Sequence, residues 1–344
     1  MGLSLTKIAA LVADETLFNP VNVLEEKKKF FDDTSYNPRF TYKGLGFDPV
    51  ALRQELEQFL QASQDGDERV SQLVQGRARE LMKWLDLVEA RGSGAFTHFS
   101  VELFGKPDAW LVAEAEQLLS GGKEKRVEQA IAAEEARRQL QAALDELGPG
   151  WRTVIDDALV ADAHINPQLR LLRVRAGASF SPLEVKQLVV HEVGTHARRS
   201  FNGERQPSEV FVAGTAGYLE TEEGLAVFHE EQAGCFDSFR KQQVGGRVIA
   251  IKEALSKSFA EVYAALLPRF GNETAFALTV RAKRGLGDTS KPGGLTKDLL
   301  YLKGLLRVRA LSEEDRKYLY VGKVSYHHLP VIKEIVREGK VRLL

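Results

Sequence analysis

Two histidines five residues apart, inside a stretch that otherwise reads as one helix, constrain this chain more than any other feature. Residues 182–203, PLEVKQLVVHEVGTHARRSFNG, carry Leu183, Leu188, Val189 and Val190 as an apolar side. Ser181-Pro182 supplies the order of N-cap and first-turn proline. Arg198, Arg199 and then Asn202-Gly203 supply a basic last turn and a stop. Within lies His191-Glu192-Val193-Gly194-Thr195-His196. This is one residue longer than the H-E-x-x-H of zinc peptidases, whose histidines sit about 40° apart around a helix and reach one metal. Five residues turn a regular α-helix by about 140° beyond a full circle. A shared metal therefore requires one widened turn, a π-bulge, and Gly194 eases irregular backbone. Two readings stay open on spacing: a distorted metal-binding helix, or two unrelated packed histidines.

The rest of the sequence bounds what such a site could be. Cys235 is the single cysteine, so there is no disulfide framework and any zinc must be held by imidazole and carboxylate. A lone cysteine fits a reducing compartment, and a cytoplasmic location is expected. The formal net charge of −1 argues against a polyanion binder, and no nucleic-acid motif is present. No run reaches the roughly 18 apolar residues of a membrane span, and the N-terminus lacks the h-region of a signal peptide. The start MGLSLT matches the loose myristoylation pattern at Gly2 and Thr6; without a second membrane signal it reads as chance.

Along the chain, residues 1–149 read as a helical region packed on a core formed by 150–344. Tyr36, Phe40, Tyr42 and Phe47 lie in a loop-rich segment whose rings are expected to pack on the body. Helices follow from Asp48-Pro49 onward, two of them split at Ser120-Gly121-Gly122, the second running from Lys123 to Leu147. After Gly148-Pro149-Gly150 the pattern changes, and Leu172 and Val174 alternate with arginines as in a strand with one wet face. A strand beside the histidine helix is where an extended substrate would pair. Beyond the central helix, Thr221 is a plausible N-cap for a helix carrying Glu220, Glu222, Glu223, Glu230 and Glu231. One of these acids would complete a His₂Glu zinc site, though acids in a first turn also simply complement the helix dipole. From Arg281 to the end there are 15 Lys/Arg against 7 Asp/Glu, a basic C-terminal helical part suited to an acidic partner.

HEVGTHARRSFNG, TEEGLAVF and RGLGDTSKPGGLTKDLLYLKGLLRV, in that order, resemble the family named for a QEGLA motif, described in bacteria as flavohemoglobin expression-modulating. Its animal relatives include the microtubule-associated tyrosine carboxypeptidase, which acts on the C-terminal tyrosine of α-tubulin. The resemblance runs from about YNPRFTY to the tail. It implies that His191 and His196 bind one Zn²⁺ per chain, that Glu223 is the third ligand, and that Glu192 is the catalytic glutamate. Glu222 departs from the motif, which has Gln there.

The expectation is a mostly helical α+β fold, with a small sheet beside the HExxxH helix in a zincin-like core and N-terminal helices packed on it. The expected function is a zinc metallocarboxypeptidase that removes a C-terminal residue from a peptide or protein, with Glu192 as general base. A cation must meet the substrate carboxylate; Lys283, Arg284 and Lys297 flank the DTSKPGG loop and are the candidates. The competing readings are a zinc-binding regulator without turnover and a helical adaptor without metal.

Overall fold

A computed structural model describes residues 3–61, 66–121, 130–157, 159, 162–167 and 169–344. Gly2 and residues 123–129 of the helix expected over 123–147 lie outside those residues. The N-terminal helices are α1 (Leu5–Val12), α2 (Val23–Asp32), α3 (Pro49–Gln61), α4 (Glu68–Glu89), α5 (Phe96–Phe104) and α6 (Ala109–Leu119). Then come β1 (Ile131–Ala132), α7 (Ala133–Leu147), β2 (Arg152–Asp156), β3 (Ala163–Asn166), β4 (Leu171–Arg175) and β5 (Ser179–Phe180). The central rod is α8 (Pro182–Leu188), a π-helix (Val189–Ala197) and α9 (Arg198–Glu204) without a break. The C-terminal part holds α10 (Val210–Ala213), α11 (Tyr218–Gln232), α12 (Ser238–Ala254), α13 (Phe259–Lys283), α14 (Leu300–Ala310), α15 (Glu313–Tyr318) and α16 (Leu329–Arg337). The chain is thus α+β and mostly helical.

Two hydrophobic cores flank the rod. The larger joins α1 to α6 with α10 to α14 and α16, and is dense in rings: Phe30 meets Phe259, Tyr263 and Phe276 at centroid distances of 4.8–5.5 Å. Phe40 is buried in it, and Tyr42 donates its hydroxyl to the Leu286 carbonyl, so the aromatic loop packs on the body as expected. The smaller core holds Leu140 and Leu144 of α7, Leu172 and Val174 of β4, and Val193 and Ala197 of the π-helix. The π-helix therefore turns one face to the sheet unit and leaves another for α11, against which it also packs.

Three local expectations change. The strand at Leu172 and Val174 is β4, but it is the central strand of the order β2-β4-β3, parallel to β2 and antiparallel to β3. With both sides hydrogen-bonded it offers no edge to an extended substrate; β3 is the strand that packs on the π-helix. Ile131-Ala132 is not helical but pairs with Phe180-Ser179, which anchors the chain entering α8. α11 begins one turn before Thr221, with Gly217 at φ 73° as its N-cap. The Thr221 hydroxyl instead accepts the Tyr326 N–H.

Gly224 and Gly304 explain how α11 and α14 lie against one another. A methyl group on Gly224 would collide with the Gly304 backbone, and one on Gly304 with the Glu220 carbonyl and Gly224. The two helices cross backbone to backbone there. That close crossing presents Glu223, on α11, to the residues that begin α14.

Candidate functional site

Ser181 and Glu184 start the rod with a reciprocal capping box: the Glu184 N–H donates to Ser181 Oγ, and the Ser181 N–H to Glu184 Oε2. The next turns widen. Each i→i+5 bond takes in one more residue per turn, so residues five apart line up as residues four apart do on an α-helix. His191 and His196 accordingly sit on one face, ring centroids 4.8 Å apart. Thr195 Oγ1 donates to the Val190 carbonyl at 3.2 Å, which ties the side chain across the same wide turn. Gly194 is less special than its sequence position suggests. Its backbone is not left-handed, and a Cβ there would meet only the Val189 carbonyl oxygen at 3.7 Å.

Across from this face α11 supplies Glu223. Ligand atoms of His191, His196 and Glu223 lie within 4.8 Å of one another. Both imidazoles are held from behind. His191 Nδ1 meets Glu230 Oε1 at 2.6 Å, and Arg240 grips Glu230 with Nε and Nη2 at 2.7 and 2.9 Å. His196 Nδ1 meets Glu222 Oε1 at 2.9 Å, and Arg199 pairs with the other Glu222 oxygen. With each Nδ1 facing a carboxylate, Nε2 is the ring nitrogen each imidazole has left for a metal. Glu192 follows His191 and is largely buried beside them.

The charges of the site are uneven. Burial pulls the His196 pKa down, but the Glu222 hydrogen bond and the charges of Glu222, Glu192 and Glu223 outweigh it and raise it to about 9. A field that favours an imidazolium also favours a metal cation. Burial would raise the Glu222 carboxyl, yet Arg199 and His196 hold it down at about 2. Glu223 is likewise held below its ordinary value against burial, chiefly by Lys297. Its Oε1 accepts from Lys297 Nζ at 2.9 Å, while its Oε2 is buried with no hydrogen-bond partner. An unpartnered buried carboxylate oxygen beside two backed imidazoles is the donor set a divalent metal takes.

The three cations read from sequence end in different places. Lys297 reaches the site, but its ammonium sits between Glu223 and Glu15, 3.0 Å from Glu15 Oε2, so it is engaged by those two carboxylates. Arg284 stands one layer behind, donating to Asn19 and Asp298. Lys283 donates to the backbone carbonyls of Ala254, Lys257 and Lys291, and joins the end of α12 to the DTSKPGG loop. Glu230 and Arg240 had no assigned role in the sequence. A usable signal existed: Glu230 is seven residues beyond Glu223, on the same helix face, and a ligating histidine calls for a carboxylate behind it.

Glu222→Gln tests the backing of His196. Arg199 is fully buried and would keep its carbonyl partners on Leu319, Gly322 and Val324 but lose its carboxylate. Unfolding stability at neutral pH is expected to fall by about 3 kcal/mol. The Glu222 pKa is depressed from 4.5 to about 2, so its contribution is present above pH 4.5 and is lost as pH falls toward 2. Denaturant unfolding across that window should show a shallower acid dependence in the variant; an unchanged dependence would contradict the pairing.

Residues 28–342 match the family described as microtubule-associated tyrosine carboxypeptidase. The chain is 28% identical over 331 residues to Microtubule-associated tyrosine carboxypeptidase 1 of Mus musculus, covering 91% of this chain and 61% of that protein. It is 36% identical over 154 residues to the Rattus norvegicus protein of the same name, covering 42% of this chain and 32% of the relative. It is 36% identical over 148 residues to the Homo sapiens one, covering 40% and 30%. The chain thus spans less than two thirds of the length of each.

Proposed function

The chain belongs to the microtubule-associated tyrosine carboxypeptidase family, and from that premise we propose that it is a zinc-dependent carboxypeptidase that removes a terminal residue from a peptide or protein. The observation that carries this reading is the convergence of His191, His196 and Glu223, two of them backed by carboxylates, around the unpartnered Glu223 oxygen. The relatives' name supports tyrosine as the residue removed. No helix among the described residues is long and apolar enough to cross a membrane. The relatives' microtubule-associated name supports a cytoplasmic location.

His191, His196 and Glu223 would hold the zinc ion. Bound there, zinc acidifies water and polarises the scissile carbonyl. The chain's own groups do the rest. Glu192 takes a proton from the attacking water as the oxygen adds to the carbonyl carbon. The C–N bond then breaks, and Glu192 delivers that proton to the leaving amine. Glu230 and Glu222 face the imidazoles at Nδ1 and fix their orientation. Lys297 offsets the charge of Glu223 and keeps that carboxylate ionised.

Elemental analysis of wild type and His196→Ala tests this. One zinc per chain in wild type, absent from the variant, is expected, together with release of tyrosine from peptides ending in it. Wild type that takes up no zinc on reconstitution would sink the hydrolase and favour a metal-free adaptor.

A further inference from the structure

The buried and half-buried arginines around the site are paired, with one exception. Arg199 holds Glu222, Arg240 holds Glu230, and Arg281 grips Asp298 through Nε and Nη2 at 2.6 and 3.0 Å, with Arg284 also on Asp298. Arg247 has no carboxylate partner among the described residues, and its Nη1 is buried without any hydrogen bond. Its guanidinium lies over the Tyr301 ring, 4.2 Å from the centroid. A guanidinium stacked on an aromatic face keeps its N–H edge free for a planar anion. The residue as a whole is only partly buried.

Arg247 is connected to the candidate metal ligands through Tyr301. Tyr301 is its shared neighbour with the site: the Tyr301 ring stacks on His191 at a centroid distance of 6.4 Å and lies 5.5 Å from Lys297 Nζ. Arg247 stands on α12 seven residues after Arg240, on the same helix face, and Arg240 secures Glu230 behind His191. The terminal carboxylate of a bound peptide lies one residue, about 3.5 Å, beyond the scissile carbonyl. Tyr301 thus joins Arg247 to His191 through two successive contacts, of 4.2 and 6.4 Å. Asp298, whose charge acts on Arg247, is paired with Arg281 at 2.6 Å.

We propose that Arg247 receives the α-carboxylate of the substrate's last residue and thereby restricts the site to C-terminal cleavage. This rests on the hydrolytic reading above and names the group that selects the substrate class. A bidentate contact with the carboxylate would supply the partner that Arg247 lacks, while the Tyr301 face aligns the fork. Lys297, already between two carboxylates, is left to Glu223.

The test measures binding and turnover separately. In the zinc-loaded Glu192→Gln protein, fluorescence anisotropy gives the affinity of a dansylated peptide ending in tyrosine, as free acid and as C-terminal amide. The free acid should bind more tightly. Adding Arg247→Ala should weaken the acid on the order of 30-fold, as loss of a charge-assisted pair implies, and leave the amide unchanged. Arg247→Lys should restore part of the preference and guards against a folding defect in the alanine variant. An equal affinity for acid and amide in the parent, or a preference that survives Arg247→Ala with zinc content intact, overturns the proposal. Turnover in the Glu192-containing protein decides the other question. Cleavage with the acid preference untouched by Arg247→Ala leaves the peptidase and removes Arg247. No cleavage, with an acid preference that depends on Arg247, keeps this carboxylate site and removes the peptidase.

Discussion

Glu192→Gln is expected to lower turnover of a tyrosine-ending peptide by roughly 10³-fold, within the span known for a lost general base. Zinc should stay at one per chain, because the convergent donors are His191, His196 and Glu223 and not Glu192. The substitution keeps the size of a largely buried side chain and removes only the ability to accept a proton. It also withdraws one negative charge from a site where Glu192, Glu222 and Glu223 all act on His196, so folding should not suffer. Steady-state kinetics beside elemental analysis separates the possibilities. Turnover within tenfold of wild type would assign the base elsewhere, and loss of zinc would make Glu192 a ligand.

Gly304→Ala is expected to destabilise the site's scaffold strongly. In an exposed helix the change would gain about 1 kcal/mol, since glycine is the poorer helix former. Here the added methyl meets the Glu220 carbonyl and the Gly224 backbone, and neither can rotate away as a side chain can. The helices must part, at about 3 kcal/mol or more. Glu223 lies between those two contact residues, so zinc affinity should fall with stability. Gly194→Ala is the control: its nearest neighbour is at ordinary contact distance, and its stability should match or exceed wild type. Denaturant midpoints and zinc titration of both proteins give the comparison. A Gly304→Ala protein as stable as wild type would show that the helix crossing has slack.

The sequence by itself determined the rod. Ser181-Pro182 and the apolar side are local features that fix a helical frame, while the five-residue spacing of His191 and His196 left open a widened turn with one shared face or two unrelated histidines, and the packed structure has the widened turn. The mostly helical α+β character was legible for the same reason, as was the small sheet foretold by the alternation at Leu172 and Val174. The place of that strand was not, because alternation reports which side chains are buried and says nothing of which neighbours bond its two edges. Among five glutamates between 220 and 231 the pattern could not choose; a helix wheel puts several on related faces. The family resemblance pointed to Glu223, and the tertiary structure separates the acids physically: Glu223 converges with the histidines, while Arg199 and Arg240 claim Glu222 and Glu230. The cations show the same limit. Lys283, Arg284 and Lys297 stood out by adjacency to a loop, yet their ammonium and guanidinium groups are committed to carbonyls and to Asp298, Glu15 and Glu223. Arg247 lies far from them in sequence, and its lack of a partner is a property of the packed molecule alone. Spacing along one helix is fixed by covalent geometry, whereas the partner of a charge is settled only when distant helices meet.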